Sequence, residues 1–176
     1  MIRRFLILGL CLAPLVSGWA APSPERAPEP RRLVKANVLP LALEDGFEFR
    51  KQQLLLNDPQ FIKPTRDKMV AFEHDRLNYG AVSSDERRER MGNYFRFWWR
   101  ASRPANLTVR LEYRQANLGG YVQAQEIDVN VPKGTHETKF QVVGDDYLKD
   151  GRVTAWRALL IENGRIVALS QSYLWH

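Results

Sequence analysis

Apolar and polar residues alternate with a period of two in a series of short runs. Gly, Asn, Asp and Pro separate them, as expected of half-buried strands joined by turns. The clearest pair is the last: VTAWRALLI from Val153, then Glu162-Asn163-Gly164-Arg165, then IVALSQSYLW to Trp175. Asn-Gly between two β-rich runs predicts a two-residue type I′ hairpin, because both central residues need φ > 0. Glu162 then faces Arg165, Ile161 faces Ile166, Leu160 faces Val167 and Trp156 faces Gln171. The period of two puts Trp156, Ala158, Leu160, Val167, Leu169, Tyr173 and Trp175 on a core face. Leu159, Ile161, Ile166 and Ala168 fall on the opposite face, grading to Arg157, Ser170 and Ser172. A hairpin apolar on both faces near its tip calls for a cover, which makes those four residues candidates for an interface.

The preceding runs follow the same logic. Met69 to Leu77 is expected as a strand of ambiguous face. Ser83 to Arg90 carries a capping box, Ser83 with Glu86, and a Glu86/Arg90 pair, but no apolar stripe, so it predicts a short solvated helical turn. Tyr94 to Arg100 sets Phe95, Phe97 and Trp99 inward and Arg96, Trp98 and Arg100 outward. Leu107 to Arg114 points Leu107, Val109, Leu111 and Tyr113 inward. After Gly119-Gly120, Tyr121 to Val131 puts Ile127, Val129 and Val131 on one face, with a bulge expected to shift its earlier residues. Glu137 to Val143 buries Thr138, Phe140 and Val142.

These are seven strands after Lys68 with no long amphipathic helix among them, an all-β pattern at the spacing of a sandwich. Phe97 and Trp99 as aromatics of a second strand, LTVRLEYR as a third strand, and Tyr147 ahead of the Asp150-Gly151 turn resemble immunoglobulin-like or fibronectin type III domains. The resemblance covers about Lys68 to Trp175. It implies a seven-stranded antiparallel β-sandwich at 67–176 and is silent on function, since that architecture serves many roles.

Upstream the composition changes. Residues 1–20 read as an export signal, with Arg3 and Arg4 before the apolar run Phe5 to Val16 and Gly18-Trp19-Ala20 as a small-x-small cleavage site. That run is too short to span a bilayer, and no later stretch approaches about 20 apolar residues, so no transmembrane segment is expected. Residues 21–32, with prolines at 22, 24, 28 and 30, read as a disordered linker. Residues 33–66 form an apolar N-terminal extension, in which Asp45-Gly46 precedes a strand carrying Phe47 and Phe49. The segment Val38 to Leu56 is the spare hydrophobic stretch that could cover the second face of the last hairpin, in its own molecule or in a neighbour. The export signal, Pro-rich linker, extension and YFRFWWR opening resemble exported bacterial immunoglobulin-like proteins associated with pilus or secretion machinery.

The only cysteine, Cys11, lies in the export signal, leaving no disulfide, thiolate metal site or thiol nucleophile. The formal charge of +6 becomes +4 without Arg3 and Arg4. No dense Lys/Arg cluster with interleaved aromatics suggests nucleic acid. His74, His136 and His176 have no metal-ligand spacing. The loop Gly144 to Gly151 fails as a calcium site because Leu148 stands between Asp146 and Asp150. Ser170 and Ser172 lack a nucleophile elbow and a base. No catalytic residue, metal or cofactor is expected.

The expectation is therefore an exported, non-enzymatic protein of the periplasm or extracellular space, with outer-membrane association open. It would act by contact with itself or another envelope protein in a pilus or secretion-related assembly. The alternative is a carbohydrate-binding module using Arg96, Trp98 and Arg100, since an exposed tryptophan flanked by guanidinium groups stacks on a sugar ring or anchors a protein contact. Trp98 could also lie under the chain's own extension.

Overall fold

Residues 28–61 and 66–175 are described by a computed structural model. The expected export signal (residues 1–20, with Cys11), residues 21–27 of the Pro-rich stretch and His176 lie outside the described residues. The described chain is mostly strand, with eight strands in two antiparallel sheets. The larger sheet has the order β1 (Arg31–Leu33), β5 (Val122–Val131), β4 (Ala105–Gln115), β7 (Val153–Glu162), β8 (Arg165–Gln171). The smaller has β2 (Phe47–Asn57), β3 (Gly92–Ala101), β6 (Gly134–Val143). Three helices are short: α1 (Lys68–Asn78), α2 (Ser84–Glu89) and α3 (Asp145–Asp150).

The two sheets share one apolar core. Phe95, Phe97 and Trp99 of β3 and Phe140 and Val142 of β6 meet Leu107, Val109, Leu111 and Tyr113 of β4 and Trp156, Ala158 and Leu160 of β7. The Phe97 and Trp156 rings lie 5.3 Å apart across the interface. Phe97 also meets Phe49 and Phe140 edge to face, an arrangement that adds about 0.5 to 1.5 kcal/mol per pair beyond area burial. The inward residues expected on β3, β4 and β6 are buried, but on β4 Arg110 and Glu112, expected to point out to solvent, are buried as well, on the face that the strap crosses.

Four expectations change. Met69 to Leu77 is not a strand but most of α1, capped by Asp67, whose side chain accepts from Met69 N. Its inner residue Asn78 exchanges two hydrogen bonds with Asn57 of β2, both 3.0 Å. Six strands therefore follow Lys68, and the first strand of the smaller sheet is β2, inside the stretch 33–66. The second change is in the last hairpin. The turn has the expected backbone, φ 49° at Asn163 and 74° at Gly164, and Ile161 pairs with Ile166. Leu160 then pairs with Ala168, so Val167 is an extra, bulged residue. Past the bulge every side chain changes face. Ala168 joins the core, whereas Leu169, Tyr173 and Trp175 leave it, Trp175 lying beside Arg114 and Arg157 on the outer face.

Third, β5 has no bulge. Its register with β4 runs unbroken from Ala105↔Val131 to Arg114↔Val122. Gln123 and Gln125 keep the inward phase and are buried with partners: Gln123 donates to Gln115 Oε1 at 2.6 Å, and Gln125 to the Gln141 carbonyl at 2.9 Å. Fourth, the end of the Pro-rich stretch is ordered, since Arg31–Leu33 pairs with β5 and Arg32 binds Asp146 and Gln123.

From β1 the chain crosses the outer face of the larger sheet as a strap. Leu39 packs on Leu159, Ile161 and Ile166. Pro40 O then accepts from Ile166 N, and the N–H groups of Ala42 and Glu44 donate to Ile166 and Val167, at 2.9 to 3.0 Å. The cover over the hairpin thus comes from the same molecule.

Candidate functional site

The outer face of the smaller sheet is uncovered over its middle, and the strand registers arrange it as a grid. Across β2, β3 and β6 its rows read Glu48–Arg100–Thr135, Lys51–Trp98–Glu137, Gln53–Arg96–Lys139 and Leu55–Tyr94–Gln141. Trp98 sits near the centre, partly exposed. The Lys51 ammonium lies 5.0 Å and the Arg96 guanidinium 5.9 Å from its ring centroid. Arg96, Trp98 and Arg100 are thus brought onto one face, as alternation along β3 requires. The strap crosses the other sheet and does not cover them.

Charge on this face is unevenly compensated. Glu137 serves both Arg96, at 3.2 Å, and Lys139, at 3.7 Å, while Glu48 pairs with Arg50 at 3.0 Å. Lys51 and Arg100 have no ion pair among the described residues. Lys51 was not visible from sequence as part of this group. A bulge skips Arg50 between Phe49 and Lys51 and so aligns Lys51 with Trp98; nothing in the alternation of FEFRKQQ marks it. At the far end, burial pushes the Tyr94 hydroxyl above its ordinary pKa, and the hydroxyl donates to the Arg90 carbonyl at 2.7 Å.

At the rim of β6 a groove of about 640 Å³ runs from this outer face, where Leu55, Tyr94 and Leu77 of α1 line it, to the gap between the two sheets. Thr138 and Phe140 of β6 line one wall, Ile127 and Val129 of β5 the other, and Pro28 and Pro30 lie along it.

The remaining candidates have internal roles. Leu159, Ile161 and Ile166 are 1%, 6% and 6% exposed under Leu39, and Ala168 lies in the main core, so these four do not form an open patch. Next to them Arg110 meets Glu126, Arg157 meets Glu112, both at 2.6 Å, and Arg110 reaches the strap carbonyl of Asn37. Trp175 covers the neighbouring end of that sheet, with Arg114 and Arg157 at 4.8 and 5.1 Å from its ring. His136 packs against Trp99 with its ring tilted by 42° and contacts the Pro132 carbonyl; His74 is on α1. Ser170 bonds Gln52, and Ser172 accepts from Trp156 N. The Gly144 to Gly151 loop is α3, whose Tyr147 reaches Asp58. Among the described residues no group of three His, Cys, Asp or Glu side chains is placed to hold a metal, and no helix is long and apolar enough to cross a membrane.

Comparison with protein-family models, with curated proteins and with solved structures finds no match.

Proposed function

We propose that the protein is an exported, non-enzymatic β-sandwich that works by protein contact in a cell-envelope assembly, with the outer face of the smaller sheet as the contact surface. One observation carries this reading. The larger sheet has its outer face covered by the chain's own strap and Trp175, whereas the face around Trp98 is open, cationic and centred on a large aromatic. Tryptophan and arginine are the side chains most often dominant in protein contacts. The immunoglobulin-like part of the proposal is supported by strand order. Counting β2 to β8 as seven strands, the first, second and fifth form one sheet and the other four form the second, which resembles the split of fibronectin type III domains.

The test is retention. The chain should sediment with the envelope fraction, and Trp98→Ala combined with Arg100→Glu should release it at unchanged melting temperature; unchanged retention overturns the reading. A glycan-binding reading draws on the stacking of Lys51 and Arg96 against Trp98, because a sugar ring can use the same aromatic platform. On that reading the chain binds an anionic polysaccharide in a pull-down, Trp98→Ala abolishes the binding, and protease treatment of the envelope leaves retention intact. On the protein-contact reading protease treatment removes retention.

A further inference from the structure

We propose that the partner adds a strand to the free edge of β6, and that this strand is apolar at one set of alternate positions and acidic at the other. The inference rests on the protein-contact reading and specifies how the contact is made.

Two hydrogen bonds fix which backbone groups of β6 are free. Gly144 N donates to the Met91 carbonyl at 2.9 Å, continuing the ladder with β3, so the even-numbered residues of β6 bond inward. The Gln141 carbonyl accepts from the Gln125 side chain at 2.9 Å, so the odd-numbered residues point away from β3. The N–H and C=O groups of Glu137 and Lys139 therefore face outward, and no described residue pairs with them. Gln125 closes the run at Gln141, leaving a stretch of five residues from Thr135 to Lys139, an ordinary strand length.

The other outer strands are engaged over part of their length. The edge of β8 is bonded to residues 40–44 of the strap, and β5 is paired with β1 over Ala124 to Glu126. The edge of β2 lies against β8, where Ser170 donates to Gln52 at 3.1 Å. An unpaired edge is a template for another chain, and here it borders the groove. Side chains of an added strand alternate between two environments. One set enters the gap between Phe140 and the pair Ile127 and Val129, where apolar groups fit. The other set lies over the outer face beside Arg96 and Lys139, which share the carboxylate of Glu137; Glu29 also lines the groove, while Lys51 and Arg100 of the same face have no ion pair among the described residues. That unbalanced positive charge selects acidic residues on the incoming strand.

The test uses the full chain and a labelled, end-blocked decapeptide of alternating valine and aspartate, read by fluorescence anisotropy. Saturable binding is expected, weakened at least about tenfold when lysine replaces aspartate, a change large enough to read directly as a shift in Kd. Methylating the peptide's alternate backbone nitrogens that face β6 should abolish binding. Lys139→Pro removes one outward N–H and leaves the β3 ladder intact, so it should also weaken binding at least about tenfold. Peptide binding should slow amide hydrogen exchange at Glu137 and Lys139. If Lys139→Pro lowers the melting temperature, the methylated peptide and the exchange measurement decide. Equal binding of the methylated peptide, unchanged exchange at Glu137 and Lys139, or no binding overturns the inference. Envelope retention that is lost with Trp98→Ala and Arg100→Glu but kept with Lys139→Pro leaves the contact reading standing and removes the edge.

Discussion

The Tyr147 hydroxyl donates to Asp58 Oδ2 at 2.6 Å, joining residues 89 positions apart where α3 meets the end of β2. Both are buried, at 5% and 4% exposed, and the other Asp58 oxygen accepts from Gln60 N. Removing the hydroxyl leaves a buried carboxylate oxygen short of a donor. Tyr147→Phe should therefore destabilise the fold by about 1 to 3 kcal/mol. Urea unfolding of the two proteins measures it, and equal midpoints would show that the bond contributes nothing.

Burial and the Asp58 carboxylate beside it push the Tyr147 pKa well above the tyrosine range, and burial pushes Tyr113 and Tyr94 upward as well. With a native pKa above the unfolded one, the stabilisation is complete below the unfolded value of about 10 and is lost as pH rises from there toward the native value. The melting temperature should fall above about pH 10, and more gently in Tyr147→Phe. A Tyr147→Phe curve parallel to the parent's would contradict the assignment.

Gly164 has φ 74°, and an added Cβ would meet nothing within 4 Å. The penalty of a side chain there is backbone strain alone. Gly164→Val should cost about 1 to 3 kcal/mol, read as a lower melting temperature, with no shift meaning that the turn relaxes to another form.

Beneath the strap, Leu159, Ile161 and Ile166 are each worth about 1.5 to 3 kcal/mol when buried rather than wet. A chain beginning at Asp45 exposes them. It should melt lower than the full chain or self-associate in sedimentation, and a monomer of unchanged melting temperature would mean that the strap stabilises nothing.

Much of this architecture is written in the alternation itself. The inward sets of β3, β4 and β6 follow from the period of two, because each strand has one face on the shared core. The Asn163-Gly164 turn follows from its φ requirement. What the alternation does not carry is an inserted residue. Val167 and Arg50 leave no local mark, yet the first moves Ala168 into the core and the second places Lys51 beside Trp98. The glutamines of β5 were hidden for a different reason. Gln123 and Gln125 are polar side chains in an apolar phase, tolerated only because Gln115 and the Gln141 carbonyl satisfy them. Met69 to Leu77 misleads because an eleven-residue helix resting on one side of a sheet has too little buried surface to impose a period of its own. The open edge of β6 was also beyond reach, since which backbone groups stay unpaired depends on the neighbours of a strand.

The strap also sets an order of events in folding. Arg31 pairs with Glu126, and Leu41 bridges to Ile166, so these two residues find their partners 95 and 125 positions later. Contacts so distant in sequence form slowly, because a long loop must close before they offset its entropy. A chain emerging N-terminus first must hold residues 39–44 without a partner until β7 and β8 have both appeared. Closure of the strap over the edge of β8, the longer of the two loops, is therefore expected to follow the pairing of β1 with β5.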